Sequence, residues 1–81
     1  MNSAITIPLT SLEPGRRGRL VRIEGGHQVV HRLSEMGLTP GVEIEVLRRN
    51  GGGPLLLAVR DTRLAIGRGM ADKVLVEILD D

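Results

Sequence analysis

The sequence contains no cysteine and no aromatic residue among its 81 residues. Without cysteine the chain forms neither a disulfide framework nor a thiolate metal site, and small secreted domains generally depend on such staples, so we expect a cytoplasmic protein. Without Phe, Tyr or Trp, the hydrophobic core has to be built from Leu, Val and Ile. Branched aliphatic side chains favour strands, and the composition therefore predicts a chain rich in β-structure.

Strong net charge and long hydrophobic runs are also missing. The formal net charge is +1, which gives no field that would indicate nucleic acid or an anionic membrane as the partner. The longest aliphatic run covers residues 55–59, too short to cross a bilayer, and residues 1–9 lack the pattern of a signal peptide. If the protein acts at a membrane, we expect it to reach that membrane by binding a partner.

The length of the chain suits one domain over residues 1–81 and is too small for two. We expect a loose amino terminus over residues 1–6 and a short tail at residues 80–81. Two Leu-x-Pro-Gly turns punctuate the chain at residues 12–15 and 38–41. In each, Pro sets φ at the second turn position and Gly permits the positive φ that a type II turn requires at the third. Each turn is expected to deliver the chain into a strand.

Alternating apolar residues predict the strands. The clearest alternation follows the second turn, where Val42, Ile44 and Val46 point to one face. Shorter apolar stretches predict further strands over residues 18–23, 55–59, 63–66 and 74–79, with a glycine-rich loop at 49–54 and a turn at Asp61-Thr62. The segment around Pro8 is restricted to a sheet edge, because proline cannot donate a ladder hydrogen bond.

One amphipathic helix is predicted over residues 28–36. At about 100° per residue, its apolar side chains fall on one side: Val29, Val30, Leu33 and Met36. Gly37 supplies a left-handed residue after the helix, and Leu38 is then expected to contact Leu33 as in a Schellman cap. The predicted order is a strand, the helix, a three-stranded meander, a helical turn at 67–72 and a final strand. This order predicts a mainly β fold. We expect a small, closed SH3-like barrel of five to six strands.

The motifs resemble those of a known family. They are Leu-x-Pro-Gly-x-x-Gly at residues 12–18, Arg-Leu-x-x-Met-Gly-Leu-x-Pro-Gly at 32–41 and the alternation that follows. Over about residues 9–79 the chain resembles the FeoA family of ferrous iron transport. Similar domains close metal-dependent repressors related to the diphtheria toxin repressor. Because no DNA-binding helices precede this domain, we expect a stand-alone protein.

The resemblance implies a cytosolic SH3-like regulator of iron homeostasis. Its expected partner is the ferrous iron permease, whose cytosolic part is a GTP-hydrolysing domain, and the chain would act at the inner face of the cell membrane through that partner. Weak homo-oligomerisation is left open. The predicted partner-binding residues are Arg32, Met36, Leu38, Arg60, Arg63, Leu64 and Arg68.

Six of these seven residues have a simpler interpretation. Arg60, Arg63 and Arg68 form a candidate basic patch, or an arginine finger for a neighbouring G domain, but arginine is also the main surface cation of this chain. For the three apolar candidates, Met36, Leu38 and Leu64, the simpler interpretation is that they belong to the hydrophobic core.

Metal binding and catalysis receive little support. His27, His31 and Glu35 recur at four-residue spacing, which offers ligands for zinc or ferrous iron, yet we favour solvated polar-face residues and expect no cofactor. Two histidines on the outside of one helix make no enclosed acid–base pair, so we expect no enzyme. The alternative function is a small-barrel nucleic-acid-binding or general protein-interaction module, although the stacking aromatics and positive groove of nucleic-acid barrels are missing.

Overall fold

A computed structural model describes residues 5–79 of the chain. Within these residues the chain forms six strands, two α-helices and one 3₁₀ turn, in an order that alternates strands with short connections. The elements are β1 (Thr6–Pro8), the 3₁₀ turn (Leu9–Ser11), β2 (Arg17–Ile23), α1 (His27–Glu35), β3 (Glu43–Arg49), β4 (Leu55–Val59), β5 (Thr62–Ile66), α2 (Arg68–Ala71) and β6 (Val74–Ile78). The mainly β fold with one helix between the first long strands and a helical turn before the last is therefore confirmed.

The six strands form one antiparallel sheet in the order β1-β6-β2-β3-β4-β5. Pro8 lies in an edge strand, as its missing N–H predicts. The sheet of residues 5–79 keeps two edges, β1 and β5, which do not pair with each other. The small barrel is therefore open between β1 and β5, where a closed one was expected, because closure requires a ladder between the first and last strands of the sheet.

Two predicted boundaries also differ from the structure. The loose amino terminus was expected to include Thr6, but Thr6 pairs with Glu77 of β6; residues 1–4 and the predicted tail at 80–81 lie outside the described residues. The turn expected at Asp61-Thr62 lies one residue earlier, because Thr62 pairs with Val59 and leaves residues 60–61 as the loop. A β-branched Thr suits the ladder better than a turn.

Both Leu-x-Pro-Gly turns have the predicted geometry. Gly15 has φ of 87° and Gly41 has φ of 94°, each at the third turn position. The first turn closes with a hydrogen bond from the Arg16 N–H to the Glu13 carbonyl oxygen (3.0 Å), and the second closes in the same way between Val42 and Thr39 (3.1 Å). These turns carry the chain into β2 and β3.

The carboxyl end of α1 is a Schellman cap. The Leu38 N–H donates to the Leu33 carbonyl oxygen and the Gly37 N–H donates to the Ser34 carbonyl oxygen, both at 3.0 Å, while Gly37 has φ of 93°. Leu33 and Leu38 are both fully buried. The cap therefore ties the helix to the core at the point where the chain turns toward β3.

Two apolar residues of the predicted helix face are surface residues instead. Val30 is 40% exposed and Met36 is 37% exposed. At about 100° per residue, Val30 lies about 60° from Leu33, on the side away from Val29, at the margin of the buried stripe. Met36 is the C-cap, with non-helical backbone angles, so the helical spacing no longer determines its direction.

The core is entirely aliphatic. Fifteen hydrophobic residues are buried and, among the described residues, no polar or charged residue is. The members come from almost every element: Leu9, Leu12, Leu20, Leu33, Leu38, Val42, Ile44, Val46, Leu55, Leu57, Val59, Ile66, Ala71, Val74 and Val76. All charged side chains of residues 5–79 are consequently left to the surface, where they define the candidate sites.

Candidate functional site

The outer face of the sheet carries a row of residues across four strands. Arg17 of β2 pairs with Glu45 of β3, Glu45 pairs with Ala58 of β4, and Ala58 pairs with Arg63 of β5. Successive strand residues alternate between faces, and the residues on either side of Glu45 and Ala58 along their strands are all buried in the core. The result is a charged surface interrupted by one small side chain.

Glu43 is held by two arginines next to this row. Arg17 Nη1 lies 3.2 Å from Glu43 Oε1, and Arg19 Nη2 lies 3.8 Å from Glu43 Oε2. All three side chains are between two-fifths and one-half exposed. Exposed ion pairs contribute only about 0–1 kcal/mol, so this cluster orients Glu43 more than it stabilises the fold.

A shallow groove forms where the short side chain of Ala58 lies among longer ones. It has a volume of about 410 Å³ and is open to solvent. Its lining residues come from β2, β3, β4 and the turns beside them: Arg17, Gly41, Val42, Glu43, Ile44, Glu45, Ala58 and Arg60. We call this feature the outer-sheet groove. With two arginines and two glutamates around it, the groove suits hydrogen bonding to a mixed-charge protein surface better than capture of a polyanion.

A smaller cavity of about 130 Å³ lies between the two helices. Gln28, Val29 and Arg32 line it from α1, and Met70 lines it from α2. Of the residues predicted to bind a partner, Arg32 is the one found here. The cavity shares no lining residue with the outer-sheet groove, so the two are separate features.

The three predicted arginines do not form one patch. Arg60 lies in the β4–β5 turn and Arg63 follows at the start of β5, whereas Arg68 comes after β5, at its opposite end. The five residue steps from Arg63 to Arg68 span roughly 17 Å if the chain is extended. The Arg68 guanidinium donates a hydrogen bond to the carbonyl oxygen of Gly51 in the β3–β4 loop. Arg60 alone of the three lines the outer-sheet groove.

The three predicted apolar contacts also lie in different environments. Leu38 is fully buried, so its core alternative fits the structure. Leu64 is half-buried, packs against the core and lies opposite Leu57 of β4. Met36 is the most accessible of the three, at 37% exposure.

The histidine constellation does not assemble into a three-ligand site. His31 Nε2 lies 3.2 Å from Glu35 Oε2, with both side chains largely exposed, one helical turn apart on α1. His27 does not join them, and residues 5–79 contain no group of three or more His, Cys, Asp or Glu side chains placed to hold a metal ion. A structural zinc site uses four protein ligands, so the donor set present here does not fit one.

Sequence reasoning missed most of the outer-sheet groove. Arg17, Glu43, Glu45 and Ala58 are polar or small residues at alternating strand positions, which gives each of them the signature of an ordinary solvent-facing residue. The register between neighbouring strands brings these residues together. The alternation along a single strand does not specify which residues of the next strand lie opposite its own.

No α-helix among the described residues is long and apolar enough to cross a membrane. Comparison with known families assigns the chain directly, because the model of the FeoA domain matches residues 7–78. The chain belongs to the FeoA family. The predicted family resemblance is thus confirmed over nearly the whole length of the chain.

Individual FeoA proteins support this assignment. The chain is 34% identical over 70 residues to a provisionally named Fe(2+) transport protein A of Methanocaldococcus jannaschii, covering 86% of this chain and 84% of the relative. It is 43% identical to an iron uptake regulatory protein, FeoA, whose crystal structure superposes with a TM-score of 0.88 and covers 93% of this chain and 100% of that one.

A second FeoA structure identifies the class of the fold. The chain is 28% identical to FeoA of Stenotrophomonas maltophilia, with a TM-score of 0.78 over 88% of this chain and 89% of that one. That protein was crystallised in complex with zinc and is described as a prokaryotic SH3 domain protein. The SH3-like fold predicted from the order of strands is therefore confirmed for this FeoA chain.

Proposed function

We propose that this FeoA-family chain is a cytosolic accessory and regulatory protein of ferrous iron uptake, which binds the permease that carries a cytosolic GTP-hydrolysing domain. One observation carries the proposal: the family match extends from residue 7 to residue 78, so almost the whole chain is FeoA domain. Relatives named for Fe(2+) transport and iron uptake regulation align over most of their own length. The family match therefore includes all the described strands and helices apart from Thr6, the first residue of β1.

The outer-sheet groove is the docking surface that we assign to this role. Its floor is formed by strands β2–β4, and its glutamates and arginines point outward from a sheet whose other face is the aliphatic core. A sheet surface that carries charges of both signs provides specificity for a protein partner. A protein with a different arrangement of charges would place like charges against each other in the interface. Membrane association would follow from the partner.

We propose further that the chain acts by binding and performs no catalysis. The charged groups of the groove are arginines and glutamates, and Glu43 is engaged by Arg17 and Arg19. Nucleophilic catalysis needs a nucleophile held beside a base in a shielded pocket, whereas this groove is open. Partner binding requires only the arrangement of charge that the sheet provides.

Ala58→Gln is expected to weaken capture of the permease about tenfold, because the longer side chain fills the groove and a hot-spot loss of this size is common in interfaces. Purified tagged chain would be mixed with detergent-solubilised membranes that contain the permease, and the bound permease measured across a concentration series. Val30→Gln is the matched control, since Val30 is exposed on α1 and does not line the groove.

The two variants separate the parts of this proposal. Loss with Ala58→Gln and retention with Val30→Gln supports docking at the outer-sheet groove. Equal capture by both variants contradicts the groove while leaving the permease as partner. If the unmodified chain captures no permease, and cells lacking it take up ferrous iron normally, the accessory function itself is wrong.

The exposed His31–Glu35 pair is expected to bind zinc or ferrous iron more weakly than micromolar, because two adjacent ligands leave half of a four-ligand site to water. Isothermal titration of the chain with zinc chloride would measure this affinity, and His31→Ala would identify the site. A sub-micromolar affinity that disappears in His31→Ala would show that the helix holds a true metal site.

A further inference from the structure

Strand β5 is an unpaired edge of the sheet. Within residues 5–79, β5 pairs with β4 on one side and with no strand on the other. Thr62, Arg63 and Ala65 are exposed, while Leu64 is half-buried. An edge strand presents backbone N–H and C=O groups that are free to pair with another extended chain. The strand at this edge is therefore ready to accept a further strand.

Arginine residues lie within this edge strand and beyond both of its ends. Arg60 lies two residues before β5, Arg63 lies within it and Arg68 follows it, and residues 62–71 contain no Asp or Glu. The side chains of Arg60 and Arg63 make no hydrogen bond or ion pair with another described residue, and Arg68 donates to a backbone carbonyl. The nearest acidic residues along the chain are Asp61, in the turn, and Asp72, which accepts a hydrogen bond from Thr10 Oγ1 at 3.0 Å. Thus neither Arg60 nor Arg63 forms an ion pair with a described carboxylate.

We propose that the free edge of β5 binds an extended acidic segment of a partner protein by strand addition. The backbone ladder would supply affinity, and the bracketing arginines would select for Asp and Glu along the added strand. β5 itself has five residues and is roughly 17 Å long, so a segment of about eight residues covers the strand and extends past both of its ends, where Arg60 and Arg68 lie. Leu64 and Ala65 lie between the arginines in sequence, so apolar residues suit the centre of that segment.

A second copy of this chain is a poor occupant of the same edge. Pairing of β5 with β5 would bring Arg60, Arg63 and Arg68 of one chain near the same cations of the other, and like charges on adjacent strands are destabilising. Charged edge residues are one of the means by which proteins avoid such self-pairing. Charge therefore favours a segment of opposite sign.

A nucleic acid is also disfavoured at this edge. Single-strand binding uses aromatic side chains on which bases stack, and this chain has none. The groups that β5 offers in a regular row are amide donors and carbonyl acceptors, which match a polypeptide backbone. The inference holds whichever protein supplies the acidic segment, so it does not depend on the permease of the proposed function.

The test uses two peptides of equal charge. The first is a capped eight-residue peptide of alternating Glu and Val. The second has the same sequence with the amide nitrogens of its two adjacent central residues methylated, so that it lacks a ladder donor on each of its two edges. The isotope-labelled full chain would be titrated with each peptide while backbone amide shifts and hydrogen exchange are recorded by NMR. We expect shifts centred on residues 62–66, protection of alternate β5 amides and binding about tenfold weaker for the methylated peptide.

Charge variants complete the design. Arg63→Glu is expected to weaken binding of the Glu–Val peptide about tenfold or more. Arg16→Glu makes the same charge change at an exposed arginine before β2, a strand that β3 and β4 separate from β5. Amide spectra of both variants would confirm that they remain folded. Equal binding of the two peptides, equal loss with both variants, or equal competition by an oligothymidine of the same charge would each overturn the proposal.

Discussion

Gly18→Val is expected to destabilise the fold by about 3 kcal/mol, at the upper end of the cost of overpacking a buried position. Gly18 is buried in β2, between β3 and β6. A Cβ atom at this position would lie 2.9 Å from Val76 Cγ2, 3.0 Å from Val76 Cβ and 3.3 Å from the Glu77 carbonyl oxygen. Rotation of the Val76 side chain moves Cγ2 alone, so β2 and β6 would also have to separate.

Urea denaturation followed by far-UV circular dichroism would measure this loss. A domain of this size has roughly 4–12 kcal/mol of stability in total, so a change of this magnitude shifts the unfolding midpoint clearly. Gly52→Ala is the matched control, since a Cβ at Gly52 meets nothing within 4 Å. If both variants unfold at the same urea concentration, close strand packing at Gly18 is not a source of stability.

A double substitution tests the cause of the Gly18 effect. Gly18→Ala introduces only the Cβ atom, and Val76→Ala removes the closest atom that this Cβ would meet. We expect the double variant to be more stable than the sum of the single losses predicts, with a coupling of about 0.5–3 kcal/mol, the range found for residues in contact. Additive losses would place the cause elsewhere in β2.

Leu33→Ala is expected to cost about 2–5 kcal/mol, the usual range for removing a buried leucine side chain. Leu33 is the one fully buried residue of α1, and its carbonyl oxygen also accepts the hydrogen bond of the Schellman cap. A helix of nine residues is marginal on its own in water, so it depends on this contact with the core. The variant should lose helical amide protection before the sheet unfolds.

Val30→Ala on the same helix provides the control. Val30 is 40% exposed, and alanine has the higher helix propensity, so we expect a change within about 0.5 kcal/mol. Thermal unfolding together with amide hydrogen exchange of α1 would compare the two variants. Similar losses at both positions would mean that the helix is not anchored through Leu33.

The local features of the fold were predictable because their causes lie within a few residues. The positive φ of Gly15 and Gly41 follows from the Pro-Gly pair in each turn, and the cap at Gly37 follows from the apolar residues around it. Where the pattern failed, as at Val30 and Met36, the residue lay at the margin of the helical stripe or beyond its last turn.

The residues of the candidate site were less predictable from the sequence. Arg60 was predicted as a partner contact and does line the outer-sheet groove, but Arg68 was grouped with it although β5 separates the two. Nearness in sequence is a poor guide within an extended segment, because each residue of a strand advances the chain by about 3.3 Å. The role of these residues in partner binding stays a prediction.

The sequence by itself determined the turns, the helix cap, the aliphatic core and membership of the FeoA family, since each depends on short-range geometry or on motifs that span the chain. Only the tertiary structure decided that Arg17, Glu45, Ala58 and Arg63 form one row. It also decided that β5 ends the sheet without a second neighbour among the described residues. The physical reason is that register and strand order depend on pairing between distant segments, which alternation along a single strand leaves undetermined.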